Sequence, residues 1–216
     1  MIRSLSTFFL VSAAIFISGC SLFYSKPEVK IVKPPYEAMA NALDIEYFRT
    51  PTGDLIGHYP KDWLLVNTDS VAALENIAAI YTNAERQSAF VVTEIPGTAD
   101  LRRKVERDGL IAVADESLLL KKKKNPTLSV VKQPEVFVTE GIQYGNYEYQ
   151  TSADGSDILT HRMVCVSTGI RFYELGIVEL HRSSDKMRYK ENFRLLQSVI
   201  HALEGTVPVR AMMNDK

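Results

Sequence analysis

The side chains able to carry chemistry lie mostly in the second half of the chain. His161, Cys165 and His181 come nearest to a metal-ligand set, from a stock of four histidines and two cysteines. Their spacing argues against chelation. On one strand, residues 161 and 165 share a face but stand about 13 Å apart, whereas local ligands on a strand sit at i and i+2. Cys165 lies between Val164 and Val166, the setting of a buried and inert thiol. No G-x-S-x-G, H-E-x-x-H or Gly-rich phosphate loop occurs. A hydrolytic site would have to be assembled from scattered groups, for which Glu148, His161 and Glu174 on neighbouring strand segments are the candidates. The expectation is no catalytic residue, no metal and no cofactor.

Two other groupings point to contact rather than catalysis. Lys121, Lys122, Lys123 and Lys124 form the longest charge run, directly after Leu118, Leu119 and Leu120. Cations at a helix carboxyl end complement its dipole, and the same four ammonium groups suit anionic headgroups or an acidic partner. Tyr144, Tyr147, Tyr149, Phe172 and Tyr173 either pack across strands or line a groove, and exposure decides between the two.

The chain of 216 residues balances 25 Lys+Arg against 26 Asp+Glu, with 46% hydrophobic residues. That composition excludes a collagen, a long disordered chain, a multi-span membrane protein and a disulfide scaffold. It also supplies no basic field for nucleic acid. Residues 1–19 carry Arg3 and then an apolar stretch from Phe8 to Ile17, too short to span a bilayer as a mature helix. Ile17, Ser18, Gly19 and Cys20 resemble the lipobox of bacterial lipoproteins. The resemblance implies export, removal of the signal, and lipidation of Cys20 by a diacylglyceryl group with further acylation such as palmitate. Each buried methylene contributes about 0.8 kcal/mol and one chain alone holds only reversibly, so two or three chains anchor firmly. Ser21 after Cys20 implies the outer membrane in an organism that has two, where Asp is the usual retention signal. With Cys20 lipidated, Cys165 has no intramolecular disulfide partner.

Elements that must position these groups follow from periodicity and turn signals. Residues 20–36 hold Lys26, Pro27, Lys30, Lys33, Pro34 and Pro35, the composition of an extended linker reaching about 50 Å from the lipid. Residues 37–204 form a single globular domain and 205–216 a flexible tail. Within the domain, a helical stretch is expected over 36–43, then a hairpin about Pro51, Thr52, Gly53 and Asp54, and a second with its loop at 82–87. Thr98 is placed to cap a helix through Leu101 and Val105, with Gly109 separating it from an amphipathic segment over 110–124. Strands are expected over 135–140, 142–151, 158–168 and 170–180, the last apolar on both faces and therefore wanting cover on both. Tyr189, Phe193, Leu196, Ile200 and Leu203 then mark a closing helix, with Ser184 or Asp185 as its cap. The sum is an α+β protein, a three-layer α/β/α sandwich about a central, mostly antiparallel sheet.

Gly57 to Asn67, reading GHYPKDWLLVN, together with the 81–95 hairpin and the closing strands and helix, resembles the PsbP-like fold. The match covers most of 45–204 and rests on element order and on Tyr59, Pro60 and Trp63. The resemblance implies a non-enzymatic binding or assembly module with a protein partner in the cell envelope, and hands over no site residue. The expected function is thus a membrane-anchored envelope lipoprotein, with an envelope hydrolase as the alternative.

Overall fold

The computed structural model describes residues 31–32, 37–67, 76–152, 157–181 and 186–207. Cys20 with its lipobox, the rest of the linker, the tail from 208, the turn at 153–156 and the cap candidates Ser184 and Asp185 lie outside the described residues. In chain order the elements are β1 (Ile31–Val32), β2 (Leu43–Arg49), β3 (Ile56–Pro60), β4 (Leu64–Leu65), β5 (Ile77–Asn83), β6 (Ser88–Ile95), α1 (Ala99–Asp108), α2 (Ile111–Lys124), β7 (Ser129–Thr139), β8 (Ile142–Ser152), β9 (Ile158–Ser167), β10 (Phe172–His181) and α3 (Lys186–His201). Eight strands form one sheet in the order β1-β7-β8-β9-β10-β6-β5-β4, and β2 and β3 form a second, two-stranded sheet. Every pairing is antiparallel except that of β1 with β7.

Each face of the sheet is covered, which makes the three-layer α+β sandwich. One core sets Phe90, Val92, Val164, Val166, Tyr173, Leu175 and Ile177 against Leu195, Leu196, Val199 and Ile200 of α3 and Phe48, Tyr59 and Trp63 of the β2–β3 region. Burying side chains of this size contributes about 1.5–3 kcal/mol each before ordering costs. The other core sets Tyr147, Tyr149, Met163, Cys165 and Phe172 against Leu101 and Val105 of α1 and Ala112, Val113, Ala114 and Leu118 of α2. Thr98 caps α1 as expected, its hydroxyl accepting from the Leu101 N–H at 3.1 Å. Gly145 lets α2 approach β8 closely, since a Cβ there would stand 2.6 Å from the Leu110 carbonyl oxygen.

Four local expectations are corrected. Residues 37–42 are not helical, because their backbone is held along α3: Ser198 Oγ accepts from the Met39 N–H at 2.7 Å and donates to its carbonyl at 3.2 Å, and Asn41 takes a φ of 55°. Strand β7 begins at Ser129, six residues early, because the register shifts between Lys132 and Glu135 and so accommodates Pro134 at a bulge. Segment α2 is not amphipathic. Its buried residues Ala112, Val113, Ala114, Ser117 and Leu118 span a wide arc, covered by α1 as well as by the sheet. Within the span read as linker, Ile31 and Val32 pair in parallel with Val136 and Phe137.

Candidate functional site

Paired residues of neighbouring strands share a face, so the register sorts the chemistry-bearing side chains into two sets. Glu174 lies opposite Cys165, and Cys165 opposite Gly145, on the face under α2. Glu148 lies opposite Arg162, and Arg162 opposite Ile177, on the face under α3. The hydrolytic trio is therefore split across the sheet, with His161 and Glu174 on one side and Glu148 on the other.

Beneath α2, Glu174 is 1% exposed and fully engaged. Ser117 Oγ donates to its Oε2 at 2.5 Å, and the Tyr147 hydroxyl closes on the same oxygen while standing 3.0 Å from Ser117 Oγ. Lys121 Nζ reaches Oε1 at 2.7 Å, an ion pair off the hydrogen-bond direction. That ammonium also lies 5.9 Å from the centroid of the Tyr149 ring, which stacks on His161 at 4.2 Å. His161 Nε2 is 3.0 Å from Thr151 Oγ1. Burial and then the Lys121 charge push the His161 imidazole down to about 4, against an opposing pull from Glu174. Burial and then Glu174 push the Cys165 thiol and the Tyr147 phenol well above their usual ranges. At neutral pH the column thus offers a neutral imidazole, a protonated thiol and a carboxylate already committed to three partners. It holds α2 to the sheet and contains no activated nucleophile.

On the opposite face, Arg162 is 1% exposed between two buried carboxylates. Its Nη1 stands 2.8 Å from Glu179 Oε1 and its Nε 3.6 Å from Glu148 Oε2. Asn192 of α3 donates to Glu179 Oε2. A third set closes the turn at 51–54, where Thr50, Thr52 and Tyr173 donate to Asp54 Oδ1 at 3.0, 2.6 and 2.6 Å and Thr168 to Oδ2 at 2.9 Å. Burial raises the Asp54 carboxyl, and these four hydroxyls outweigh it, holding the group well below the usual carboxylate range.

The five aromatic residues do not line a groove. All are buried, Tyr144 and Tyr173 under α3 and Tyr147, Tyr149 and Phe172 under α2. His181 pairs in register with Ile158, and its side chain lies outside the described residues. Among the described residues no cluster of His, Cys, Asp and Glu has the geometry of a metal site. Of the lysine run, Lys121 turns inward to Glu174 while Lys122, Lys123 and Lys124 are exposed. Sequence reasoning missed Arg162 and Glu179: counting outward from a turn at 153–156 sets Glu148 against His161, whereas the observed pairing of Ser152 with Ile158 brings Arg162 opposite Glu148. It also missed Ser117, and it read Tyr147 as a groove or packing aromatic rather than as a hydroxyl partner of Ser117 and Glu174, a meeting that depends on the docking angle of α2.

Open surface concentrates elsewhere. Ile45 is 93% exposed, Tyr47 62%, Leu64 74% and Leu65 65%, all within 45–65. Tyr47, Arg49, Ile56 and His58 form the outward cross-strand pairs of β2 and β3, while Phe48 and Gly57 face inward. With Ala202 and Glu204 they line a cleft of about 210 Å³. The Arg49 guanidinium packs over Gly53, where a Cβ would meet it at 2.7 Å and φ is 72°.

No protein-family model and no curated protein matches the chain. Among solved structures it is similar to the Ran-binding protein Mog1p of Saccharomyces cerevisiae, at 11% identity and a TM-score of 0.47, covering 75% of this chain and 95% of that one. It is also similar to the cyanobacterial PsbP of Synechocystis, at 12% identity and a TM-score of 0.46, covering 79% and 98%.

Proposed function

We propose that this chain is an exported lipoprotein, anchored through acyl groups on Cys20 in a bacterial membrane, whose domain is a non-enzymatic binding or assembly module for a protein of the cell envelope. Where two membranes exist, Ser21 directs it to the outer one. Support for the anchor is the order of Arg3, the apolar stretch, and Ile17, Ser18, Gly19 and Cys20 ahead of a linker rich in Pro and Lys. The observation that carries the binding module is the contrast between closed chemistry and open surface. The buried carboxylates Glu148, Glu174 and Glu179 are engaged by Arg162 and Lys121, whereas Ile45 and Tyr47 stand 93% and 62% exposed on the outward side of β2. Apolar side chains presented together in this way mark an interaction surface, and a Tyr beside an Arg is typical of the residues that dominate one.

Crosslinking in the native cell, followed by purification through a carboxyl-terminal tag and mass spectrometry, tests the proposal. One reproducible protein partner is expected, recovered several-fold less with Ile45→Ser and Tyr47→Ser at unchanged thermal stability. Equal recovery with both variants refutes the β2 surface as the contact. Mass analysis of the amino-terminal peptide reads the anchor directly, and an unmodified Cys20 refutes it.

A further inference from the structure

Lys122, Lys123 and Lys124 end α2 with exposed side chains, and among the described residues none of them has an ion-pair or hydrogen-bond partner. The other basic residues of α1 and α2 are in part neutralised. Lys104 sits 3.0 Å from Asp100 and 3.4 Å from Glu116, Arg107 sits 2.6 Å from Asp108, and Lys121 is drawn inward by Glu174. On adjoining β7, Lys132 pairs with Glu135 at 2.5 Å. Among the described residues, the basic charge of α1 and α2 left without an ion-pair or hydrogen-bond partner is therefore the last turn of α2, in a chain whose formal net charge is -1. Leu119 is 45% exposed one turn before Lys122 and Lys123, at i+3 and i+4, and so shares their side of the helix. Val131, 51% exposed, follows on β7. Because Lys121 is fixed to the sheet, the helix cannot rotate these groups away.

We infer that the carboxyl-terminal turn of α2 docks the domain on an anionic bilayer, Lys122, Lys123 and Lys124 meeting acidic lipid headgroups and Leu119 entering the interface between them. The occupant is chosen by charge complementarity: three unpaired cations beside an exposed leucine match a surface that is negative at the headgroups and apolar just beneath. A soluble acidic protein matches the charge but leaves Leu119 unaccounted for. The inference rests on the anchored reading for its biological setting. A linker that reaches about 50 Å keeps the domain at high effective concentration near the lipid, so weak docking suffices. In the docked state the β2–β3 surface, which packs over the other face of the sheet, stays available to a partner.

The test uses the protein purified from a host that processes lipoproteins, reconstituted in vesicles of phosphatidylcholine alone or with phosphatidylglycerol. Hydrogen–deuterium exchange over 119–131 should slow several-fold only with phosphatidylglycerol, and the difference should vanish at high salt. Lys122→Gln, Lys123→Gln and Lys124→Gln together should abolish it, leaving the melting temperature unchanged. Leu119→Gln should weaken it without removing the salt dependence. Equal exchange in both vesicles, or slowing that survives the triple substitution, overturns the inference. Displacement by inorganic phosphate at matched ionic strength also overturns it, by identifying a free anion as the ligand. If Cys20 proves unmodified, the anchored reading fails separately. Co-sedimentation of the same protein with the same vesicles then decides docking, with a loss on the order of 100-fold expected for the triple variant.

Discussion

Replacing Lys121 should differ sharply from replacing any of the three lysines that follow it. Lys121→Met removes the ammonium 2.7 Å from Glu174 Oε1 and leaves a carboxylate that is 1% exposed without its countercharge. Breaking a buried pair by removing one partner costs about 3–5 kcal/mol. The Lys121 side chain is 24% exposed, and Ser117 and Tyr147 still donate to Oε2, so the expected loss falls at or below that lower limit, about 2–3 kcal/mol. Lys122→Met, Lys123→Met and Lys124→Met should each fall within about 0.5 kcal/mol of the parent. Urea denaturation followed by circular dichroism measures both, and a double-mutant cycle with Glu174→Gln isolates the pair. In the Glu174→Gln background the Lys121→Met cost should shrink by about half or more, because the charge left uncompensated is gone. Equal effects at all four lysines, or a Lys121→Met cost unchanged by Glu174→Gln, would refute the assignment of Lys121 to the interior.

His161 should make stability pH-dependent. Its folded form is held neutral down to about 4 while the unfolded imidazole takes a proton near 6.5, so stability is full above the unfolded value and falls as pH drops toward the folded one. The loss is about 2 kcal/mol by pH 5, and His161→Phe, which keeps the stack on Tyr149, should flatten the profile between pH 7 and 5. The Asp54 carboxyl, held low, contributes only on the acid side of this window, near and below its usual value of 3.8. Arg162→Met should cost about 3–5 kcal/mol by leaving Glu148 and Glu179 facing each other, and adding Glu148→Gln and Glu179→Gln should recover a large part of it in the same urea titration. Gly145→Ala should lower the melting temperature by several degrees, because its methyl would press on the Leu110 carbonyl and lift α2, and a thermal scan reads this directly.

What was legible in the sequence is what depends on local period and turn chemistry. Thr98, Gly109 and the apolar spacing of Phe193, Leu196 and Ile200 placed helices, and the turns at 51–54 and 153–156 placed hairpins. The two apolar faces of β10 foretold cover on both sides. The segment over 37–42 misled because helical propensity competes there with a tertiary capture of its backbone by Ser198 and Arg194. The start of β7 was set six residues late because the bulge between Lys132 and Glu135, which takes in Pro134, interrupts the regular strand pattern. Lys121 could not be told from its three neighbours by composition, since only the docking of α2 on the sheet brings Glu174 within reach of it.

The interior polar groups show why a list of reactive residue types points poorly to a site in a sheet covered on both faces. Glu148 and Glu174 lie on strands two apart in one sheet, yet alternation sends one to Arg162 under α3 and the other to Lys121 under α2. Each carboxylate is then obliged to find a cation, because an unpaired charge in either core would cost a large fraction of the fold's net stability. Pairing satisfies that demand and removes the groups from chemistry at the same time: the more completely Glu174 is held by Ser117, Tyr147 and Lys121, the less base it has left to offer. The contact surfaces proposed above lie outside the cores. Side chains that burial has not obliged to pair, Ile45 and Tyr47 on β2 and Lys122, Lys123 and Lys124 on α2, retain free interaction capacity, and they stand on opposite layers of the sandwich. On the two proposals made above, the domain faces a membrane with one layer and a protein with the other.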